Sequence, residues 1–402
     1  MAAQRVPAIQ AAVQIMKDEG VDIAFGCPGA ALLPLYAAME EVGGIEHLSV
    51  PHEEGAAHMA DGYARTSGNA GVAAVAAGPG AARLITGLYA ARQDAVPLVC
   101  ITGREGSGRR ASGALRQEAG RPPDLIRLAG PVTKRAERIE DPARIPGAFR
   151  EAFRIAREGR PGPVLIDVPA DLAAAEIGYE AGLVPASGFR SSQAGTVRPP
   201  VAADEAAPAG GQVGAARWVL DEIKAIFGAA TGAGTGPYLV TSSTGPYAGA
   251  VGESRRHRVH GRTGPPGWEL PAAVGVRKAL DSRGERTSEV IAVIDGRGFA
   301  FMAEELAVAA QYGVPFVLIM LTQNHRDDGF DDFTDRVKLV EAYGCAGRDV
   351  VDPAELRSAV EWARKEAVST RRPVLVEVRA ECAVPAPGGP PLGSPRGSVL
   401  GI

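Results

Sequence analysis

Short apolar runs separated by helical stretches recur along most of the chain, and this alternation constrains the fold more than any other feature. In the first half the runs are residues 72–76 (VAAVA), 98–101 (LVCI) and 164–168 (VLIDV). In the second half they are residues 238–241 (YLVT), 289–294 (EVIAVI), 315–321 (PFVLIML) and 373–378 (PVLVEV). Such runs are typical of parallel strands that are buried on both faces. With helices between them, they predict an α/β fold of two doubly wound parallel-sheet domains.

A change of composition in mid-chain separates the two series of strands. The run TVRPPVAADEAAPAGG, residues 196–211, is rich in Pro, Ala and Gly, as flexible linkers are. We therefore predict four parts along the chain. These are a first domain over 1–183, a linker over 184–213, a second domain over 214–384 and a flexible tail over 385–402.

Charge and hydropathy exclude two classes of partner. The net charge of −4 argues against nucleic acid as the main partner, because phosphate backbones attract basic proteins. The sequence has no run of eighteen apolar residues, so no membrane span is expected. The start of the chain has the pattern of an amphipathic helix rather than a signal peptide, which favours a cytoplasmic location.

Residues 52–65 (HEEGAAHMADGYAR) carry the strongest signal for chemistry. Glu53 follows an apolar pair, Leu48 and Val50, that predicts a strand, and small residues at helical spacing follow it. A carboxylate at the end of a strand in an α/β fold is a frequent place for catalysis. The alternative is a surface glutamate that stabilises the start of a helix.

Five motifs in the first half resemble those of thiamine-diphosphate enzymes, among them glyoxylate carboligases and acetolactate synthases. In chain order they are residues 26–30 (GCPGA), 52–65, 78–81 (GPGA), 86–103 and 159–169. The resemblance implies that the first domain binds the aminopyrimidine of the cofactor and the second its diphosphate. It also implies a homodimer or homotetramer. The relatives carry a middle domain that the linker replaces here, so FAD, which some relatives bind largely through that domain, is not expected.

The resemblance gives Glu53 a catalytic role. In the family a glutamate hydrogen-bonds the aminopyrimidine ring nitrogen, and the neighbouring amino group then takes the C2 proton of the thiazolium ring. Gln117 resembles a glutamine that lines the active site in relatives, but Arg116 replaces the Phe before it. The alternative for Gln117 is an exposed loop.

Two glycine-rich turns are candidate cofactor contacts. Gly26, Pro28 and Gly29 form a turn in which the backbone can approach a ligand closely, although an ordinary βα turn needs the same residues. Gly78 and Pro79 open a helix whose first amides could face an anion or the substrate.

The second half departs from the family at the magnesium motif. Relatives hold Mg²⁺ with Gly-Asp-Gly and a later Asn-Asn pair. In this chain Gly296 falls on the ligand Asp and Gln323 on the ligand Asn, while Asp295 and Asn324 are each displaced by one position. A shift of one residue at a strand end turns a side chain to the other face.

Two outcomes of this shift stay open. Asp295, Gln323 and Asn324 can rebuild a metal site through a local bulge. Alternatively the metal is absent, and Arg297 or Arg262 neutralises the diphosphate directly, since arginine suits phosphate geometrically.

Residues 264–273 (GPPGWELPAA) resemble the segment that contacts the thiazolium ring. Gly264 opens this segment, and Pro266 takes the place of the bulky Met or Leu that bends the cofactor in relatives. Proline fills space but cannot flex or donate a hydrogen bond.

The resulting hypothesis is a thiamine-diphosphate-type lyase or carboligase that acts on a small 2-oxo acid, pyruvate or glyoxylate, through a C2 carbanion. The alternative is a diverged homologue with lost or altered cofactor and Mg²⁺ binding, serving as a repurposed biosynthetic enzyme or as a binding or scaffold protein. The sequence does not identify the donor or the acceptor substrate.

Overall fold

The chain folds into two compact units, Met1–Ala203 with Gly261–Thr287, and Asp204–His260 with Ser288–Ile402. The computed structural model describes residues 4–106, 124–179, 219, 221–223, 225–226, 237–242, 258–322 and 335–379. Each unit contains a six-stranded sheet. The α/β class with two doubly wound sheets, predicted from the apolar runs, is confirmed.

The first unit is built around one parallel sheet. Its strands are β2 (Ile23–Cys27), β3 (Glu46–Ser49), β4 (Gly71–Ala76), β5 (Leu98–Arg104), β6 (Arg135–Arg138) and β7 (Pro163–Pro169), and a separate antiparallel pair joins β1 (Gln4–Pro7) to β8 (Glu176–Tyr179). The order across the sheet is β3-β2-β4-β5-β7-β6, with every pair parallel.

Helices cover both faces of this sheet. They are α1 (Ala8–Asp18), α2 (Leu33–Val42), α3 (Glu53–Ser67), α4 (Leu84–Asp94), α5 (Leu125–Ala129), α6 (Ile145–Arg157), α7 (Ala170–Ala173) and α8 (Glu269–Ser282). Buried side chains of α1, α2 and α6 pack against one face, for example Phe149 against Val164 and Ile166 in one core cluster. Helix α3 lies so close to β4 on the other side that a Cβ at Gly71 would be 2.1 Å from the Ala60 carbonyl oxygen.

Helix α8 packs against α3 at backbone distance. A Cβ at Gly62 would lie 2.2 Å from the Ala272 carbonyl oxygen, and a Cβ at Gly275 would lie 1.9 Å from the Met59 carbonyl oxygen. Larger residues at either glycine would push the helices apart. The small residues that follow Glu53 in the sequence therefore serve this helix contact.

The second unit repeats the arrangement of strands. They are β9 (Tyr238–Ser242), β10 (Arg258–Gly261), β11 (Val290–Asp295), β12 (Val317–Thr322), β13 (Ala346–Val350) and β14 (Val374–Arg379), in the order β10-β9-β11-β12-β14-β13. The helices are α9 (Gly296–Met302), α10 (Glu305–Gln311), α11 (Arg336–Ala342) and α12 (Leu356–Thr370). The described residues between 219 and 226 are also helical.

Both sheets share one topology, because in each the first and third strands of the set are neighbours and the second lies at the edge. In doubly wound sheets, ligands bind outside the carboxyl ends of the strands at the point where the strand order reverses. That point lies between β2 and β4 in the first sheet and between β9 and β11 in the second.

The predicted strands are all present, with ends that differ by one to three residues. Helix α9 follows β11 directly, and α10 precedes β12. The predicted linker, 184–213, and the tail, 385–402, lie outside the described residues, so the four-part division stays a prediction.

Candidate active site

Glu53 is the first residue of α3, and α3 begins just after β3. Its carboxyl group lies against the loop that follows β4. A Cβ built at Gly80 would be 1.9 Å from Glu53 Oε1 and 2.7 Å from Cδ. Gly80 therefore leaves the space that the Glu53 carboxyl occupies. The Glu53 side chain keeps 16% of its surface exposed, so a ligand can reach it.

Arg83 is a neighbour of Glu53 that the sequence did not reveal. Its Nη1 lies 3.9 Å from Glu53 Oε2 and 2.9 Å from His52 Nδ1. The Arg83 side chain is 56% exposed, so the ion pair adds little to stability.

The first glycine turn has a packing reason of its own. A Cβ at Gly26 would lie 2.0 Å from the Ala74 carbonyl oxygen, and a Cβ at Gly29 would lie 2.4 Å from Ala76 Cβ. Close approach of β2 and β4 thus requires both glycines, and Pro28 between them is exposed.

The second turn is more open. Among the described residues, no atom lies within 4 Å of a Cβ built at Gly78, and Pro79 is exposed. Both turns follow the strands that flank the switch point of the first sheet. The structure thus brings Glu53, Gly78 and Pro79 to one edge, while their contact with a cofactor stays a prediction.

Glu54 and His58 form a pair within helix α3. His58 is fully buried, and its Nε2 lies 3.4 Å from Glu54 Oε1 one turn earlier in α3. Glu54 is thus a partner of a buried histidine and not a second carboxylate beside Glu53.

Asp94, at the end of α4, anchors the segment that precedes α8. Its carboxylate accepts hydrogen bonds from the Arg262 backbone amide at 2.8 Å, from Thr263 Oγ1 at 3.0 Å and from Arg65 Nη2 at 2.7 Å. Arg65 also pairs with Asp61 in α3. The backbone at Arg262 is therefore held by a buried ionic network.

Arg65 stays charged within this network. Burial alone would lower the pKa of Arg65, but the carboxylates of Asp61 and Asp94 outweigh burial and raise it. Its guanidinium also lies 5.1 Å from the ring centroid of Trp268, at cation–π distance.

Residues 264–273 resemble the segment that contacts the thiazolium ring in relatives. Of its two predicted contact residues, Gly264 is buried and Pro266 is exposed. A Cβ at Gly264 would lie 2.8 Å from Trp268 Cγ, so Gly264 lies directly against the indole. Gly264 thus has a packing role, and the predicted contact of Pro266 with a cofactor stays a prediction.

At the corresponding edge of the second sheet, Asp295 ends β11 and caps α9. Its Oδ1 accepts a hydrogen bond of 2.6 Å from the Gly298 amide. A Cβ at Gly296 would lie 3.1 Å from Arg336 Nη2, and Arg336 Nη1 donates to Glu377 Oε1 at 2.7 Å. Arg297 is exposed.

Of the three predicted magnesium ligands, Asp295 alone lies within the described residues. Mg²⁺ needs octahedral oxygen ligands, and the described part of this edge offers Asp295, one oxygen of which caps α9, while Gly296 has no side chain. The part of the chain that the structure describes contains no group of three or more His, Cys, Asp or Glu residues able to hold a metal. Gln117, Gln323 and Asn324 lie outside the described residues, so their predicted roles stay predictions.

Comparison with known families accounts for both halves of the chain. Residues 8–124 match the N-terminal TPP binding domain of thiamine pyrophosphate enzymes, and residues 244–378 match the C-terminal TPP binding domain. Together the two matches cover more than half of the chain. The chain belongs to the thiamine pyrophosphate enzyme family. The resemblance seen in the motifs is thereby confirmed.

Curated relatives match the first half. Glyoxylate carboligase of Escherichia coli O157:H7 is 42% identical over 177 residues, which are 44% of this chain and 29% of that protein. The acetolactate synthase large subunit of Haemophilus influenzae is 45% identical over 159 residues, 40% of this chain and 27% of that protein. The matched part thus spans less than a third of the length of these relatives.

A solved structure shares the fold. The thiamine diphosphate-dependent 4-hydroxybenzoylformate decarboxylase of Rhodococcus jostii RHA1 superposes with a TM-score of 0.68 at 17% sequence identity, over 93% of this chain and 99% of that chain. At this identity the likeness supports the fold alone. Within the described ranges, no helix has the length and hydropathy needed to cross a membrane.

Proposed function

We propose that the chain is a thiamine-diphosphate-dependent lyase or carboligase that acts on a small 2-oxo acid of the pyruvate or glyoxylate class. Membership of the thiamine pyrophosphate enzyme family supports the cofactor, and the similarity to glyoxylate carboligase and acetolactate synthase supports the class of substrate. Cytoplasmic location and an even homo-oligomer belong to the same proposal.

One observation carries it: the Glu53 carboxyl lies in the space that the missing side chain of Gly80 leaves open. This places an accessible carboxylate outside the carboxyl ends of the strands at the switch point, where doubly wound sheets bind ligands. A larger residue at position 80 would displace the carboxyl from this space.

The first unit fits the pyrimidine half of thiamine diphosphate. Glu53 would hold the ring nitrogen of the aminopyrimidine, and Gly78 and Pro79 would lie beside the ring. When bound, the cofactor supplies a nucleophilic carbon that can add to the carbonyl group of a 2-oxo acid. The role of Glu53 is to share a proton with the ring nitrogen, and that of the open loop is to admit the ring without a steric clash.

The test compares two glutamines at adjacent positions. Glu53→Gln removes the carboxylate that the proposal needs, while Glu54→Gln removes an equal charge one residue further along α3. Thiamine diphosphate affinity is measured by calorimetry, and CO₂ release from pyruvate and from glyoxylate by a coupled assay. We expect Glu53→Gln to lower turnover by roughly a hundredfold or more, as loss of a general acid–base group does, and Glu54→Gln to change it by less than about threefold.

Either of two results would contradict the proposal. One is wild-type protein that neither binds thiamine diphosphate nor releases CO₂. The other is normal turnover in Glu53→Gln, which would remove the proton-sharing role.

A second candidate function has an observation in its favour. The Arg336 guanidinium adjoins Gly296, where relatives carry a metal ligand, which favours a diverged homologue working with altered or lost Mg²⁺ binding. A repurposed enzyme or scaffold of this kind would show no thermal shift with thiamine diphosphate, whereas a micromolar cofactor site adds roughly 2–4 kcal/mol at saturating ligand.

A further inference from the structure

Arg104 is the last residue of β5 and lies beside a buried carboxylate, that of Asp167 in β7. Its Nε is 3.7 Å from Asp167 Oδ2, which is within ion-pair distance but too long for a hydrogen bond. The same Nε is buried and has no hydrogen-bond partner in the part of the chain that the structure describes. The Arg104 side chain keeps 34% of its surface exposed, so a ligand can reach the guanidinium.

Asp167 is already bonded to other groups. Its Oδ1 accepts a hydrogen bond from Thr102 Oγ1 at 3.0 Å, and its Oδ2 accepts one from Arg138 Nε at 2.9 Å. Arg104 and Arg138 therefore share one carboxylate, and the three groups together carry one positive charge. Asp124 pairs with Arg138 Nη2 at 3.2 Å, but its side chain is 46% exposed, so solvent screens its charge. The surplus positive charge thus lies with Arg104.

Arg104 lies on the same face of the first sheet as the helix that begins at Glu53. Ile101 belongs to the core cluster on the face that α1, α2 and α6 cover. Because side chains alternate along a strand, Thr102 and Arg104 point to the opposite face. Helix α3, which begins at Glu53, covers that opposite face.

The loop that follows β4 links Arg104 to the candidate active site. At one end of the loop, the Ala77 amide donates a hydrogen bond of 2.5 Å to the carbonyl oxygen of Gly103, the residue before Arg104. At the other end, Gly80 leaves room for the Glu53 carboxyl. A small molecule that reacts beside Glu53 therefore has a guanidinium on the β5 side of the same loop.

We propose that Arg104 binds the carboxylate of the 2-oxo acid substrate and so selects anionic over neutral carbonyl compounds. The inference rests on the proposed function for the reaction, and it adds the residue that recognises the charge of the substrate. A guanidinium suits this task, because its N–H groups match the two oxygens of a carboxylate. An arginine with a structural role alone would donate a hydrogen bond to Asp167, as Arg138 does.

The first experiment compares pyruvate with its neutral amide, pyruvamide. Binding to the full chain is followed by ligand-observed NMR titration without thiamine diphosphate, so that pyruvate is not consumed. Wild-type protein is expected to bind pyruvate roughly tenfold more tightly than pyruvamide, the gain from a hydrogen bond to a charged group. Arg104→Gln should remove this preference and leave pyruvamide binding unchanged within about twofold. Arg104→Lys keeps the charge without the planar fork and should recover part of the preference.

The second experiment reads the same contact in turnover. With thiamine diphosphate and Mg²⁺ present, Arg104→Gln should raise KM for pyruvate by roughly tenfold and change kcat by less than about threefold, because the lost contact is already made in the bound substrate. A loss confined to kcat, with KM unchanged, would contradict a role in substrate binding.

Arg135→Gln is the matched control. Arg135 is the first residue of β6, at the amino end of that strand, and its side chain is 38% exposed and pairs with Glu151 at 3.2 Å. This variant loses an arginine of similar exposure away from the carboxyl edge and should bind pyruvate as the wild type does. Urea denaturation of each variant shows whether the fold is kept, and Arg104→Lys carries the test if Arg104→Gln does not fold.

Three results would overturn the inference. They are no binding of pyruvate by the wild type, equal affinity of the wild type for pyruvate and pyruvamide, and an equal loss of both affinities in Arg104→Gln. Failure of the proposed function looks different. Binding of pyruvate that depends on Arg104, in a protein that releases no CO₂, would uphold Arg104 as a carboxylate-binding residue and remove the catalytic proposal.

Discussion

The two sheets have the same strand order, but the side chains at the carboxyl ends of their strands differ. At the first edge, the accessible carboxylate of Glu53 lies where a Cβ of residue 80 would be if that residue were not glycine. The second edge carries an arginine over a glycine, with Asp295 turned to cap a helix. A shared fold therefore does not fix the chemistry of a site, which depends on a few side chains at strand ends.

The difference also shows how a binding edge changes without loss of the sheet. Residues 290–294 of β11 are buried, and the departure from the family pattern lies just beyond them, at Asp295 and Gly296. A change of one position at the strand end alters the ligand set and leaves the packing of the strand untouched. The first edge is constrained more tightly, because a Cβ at Gly26 would lie 2.0 Å from a backbone oxygen of β4, whereas the group nearest to a Cβ at Gly296 is the end of a flexible side chain.

The largest effect that we predict concerns the buried network behind the first edge. Asp94→Ala removes the acceptor of Arg65, Arg262 and Thr263 and leaves a charge of Arg65 less compensated. We expect a loss of roughly 3–5 kcal/mol in the free energy of unfolding, measured by urea denaturation. Glu158→Ala, which breaks an exposed pair with Arg154, is the control and should cost less than about 1 kcal/mol. Equal losses in the two variants would show that the network does not anchor the 262–268 segment.

The next effect compares two glycines of the first unit, one in the loop beside Glu53 and one in a helix away from it. Gly80→Ala places a Cβ 1.9 Å from Glu53 Oε1 and forces the carboxyl away. Removal of a hydrogen bond to a charged group costs about 1.5–3 kcal/mol, so thiamine diphosphate affinity should fall by roughly ten- to hundredfold. Gly147→Ala, in α6, meets no atom within 4 Å among the described residues and should bind the cofactor normally. If both variants bound equally, the loop would not position Glu53, and the contrast between the two edges would lose its first half.

Strands buried on both faces were predictable from the sequence. Strands β4, β5 and β7 are almost wholly buried, so their sequences are apolar runs that predict strands. β6 and β13 lie at sheet edges with mixed or exposed side chains, and their sequences, RAER and AGRDV, give no such signal. The antiparallel pair β1–β8 joins segments too far apart in sequence for a local pattern to reveal it.

The residues of the candidate site that lie within a recognised motif were predictable from the sequence. Glu53 and the two glycine turns follow from the motifs, and the structure brings them to one edge. Arg336 could not be found in this way, because its place beside Gly296 goes with its pairing with Glu377 in β14, 41 residues further along the chain. Arg83 and Asp94 likewise act through tertiary contacts that no spacing in the sequence indicates.

The most direct test of the contrast between the edges is a calorimetric titration of thiamine diphosphate, in buffer with Mg²⁺, into the wild-type chain and into the Glu53→Gln variant. Because Glu53 is the accessible carboxylate of the first edge, we expect the wild type to bind and the variant to bind roughly ten- to hundredfold more weakly, the loss that follows removal of a hydrogen bond to a charged group. Equal affinities in the two proteins, or no binding by the wild type, would contradict the account.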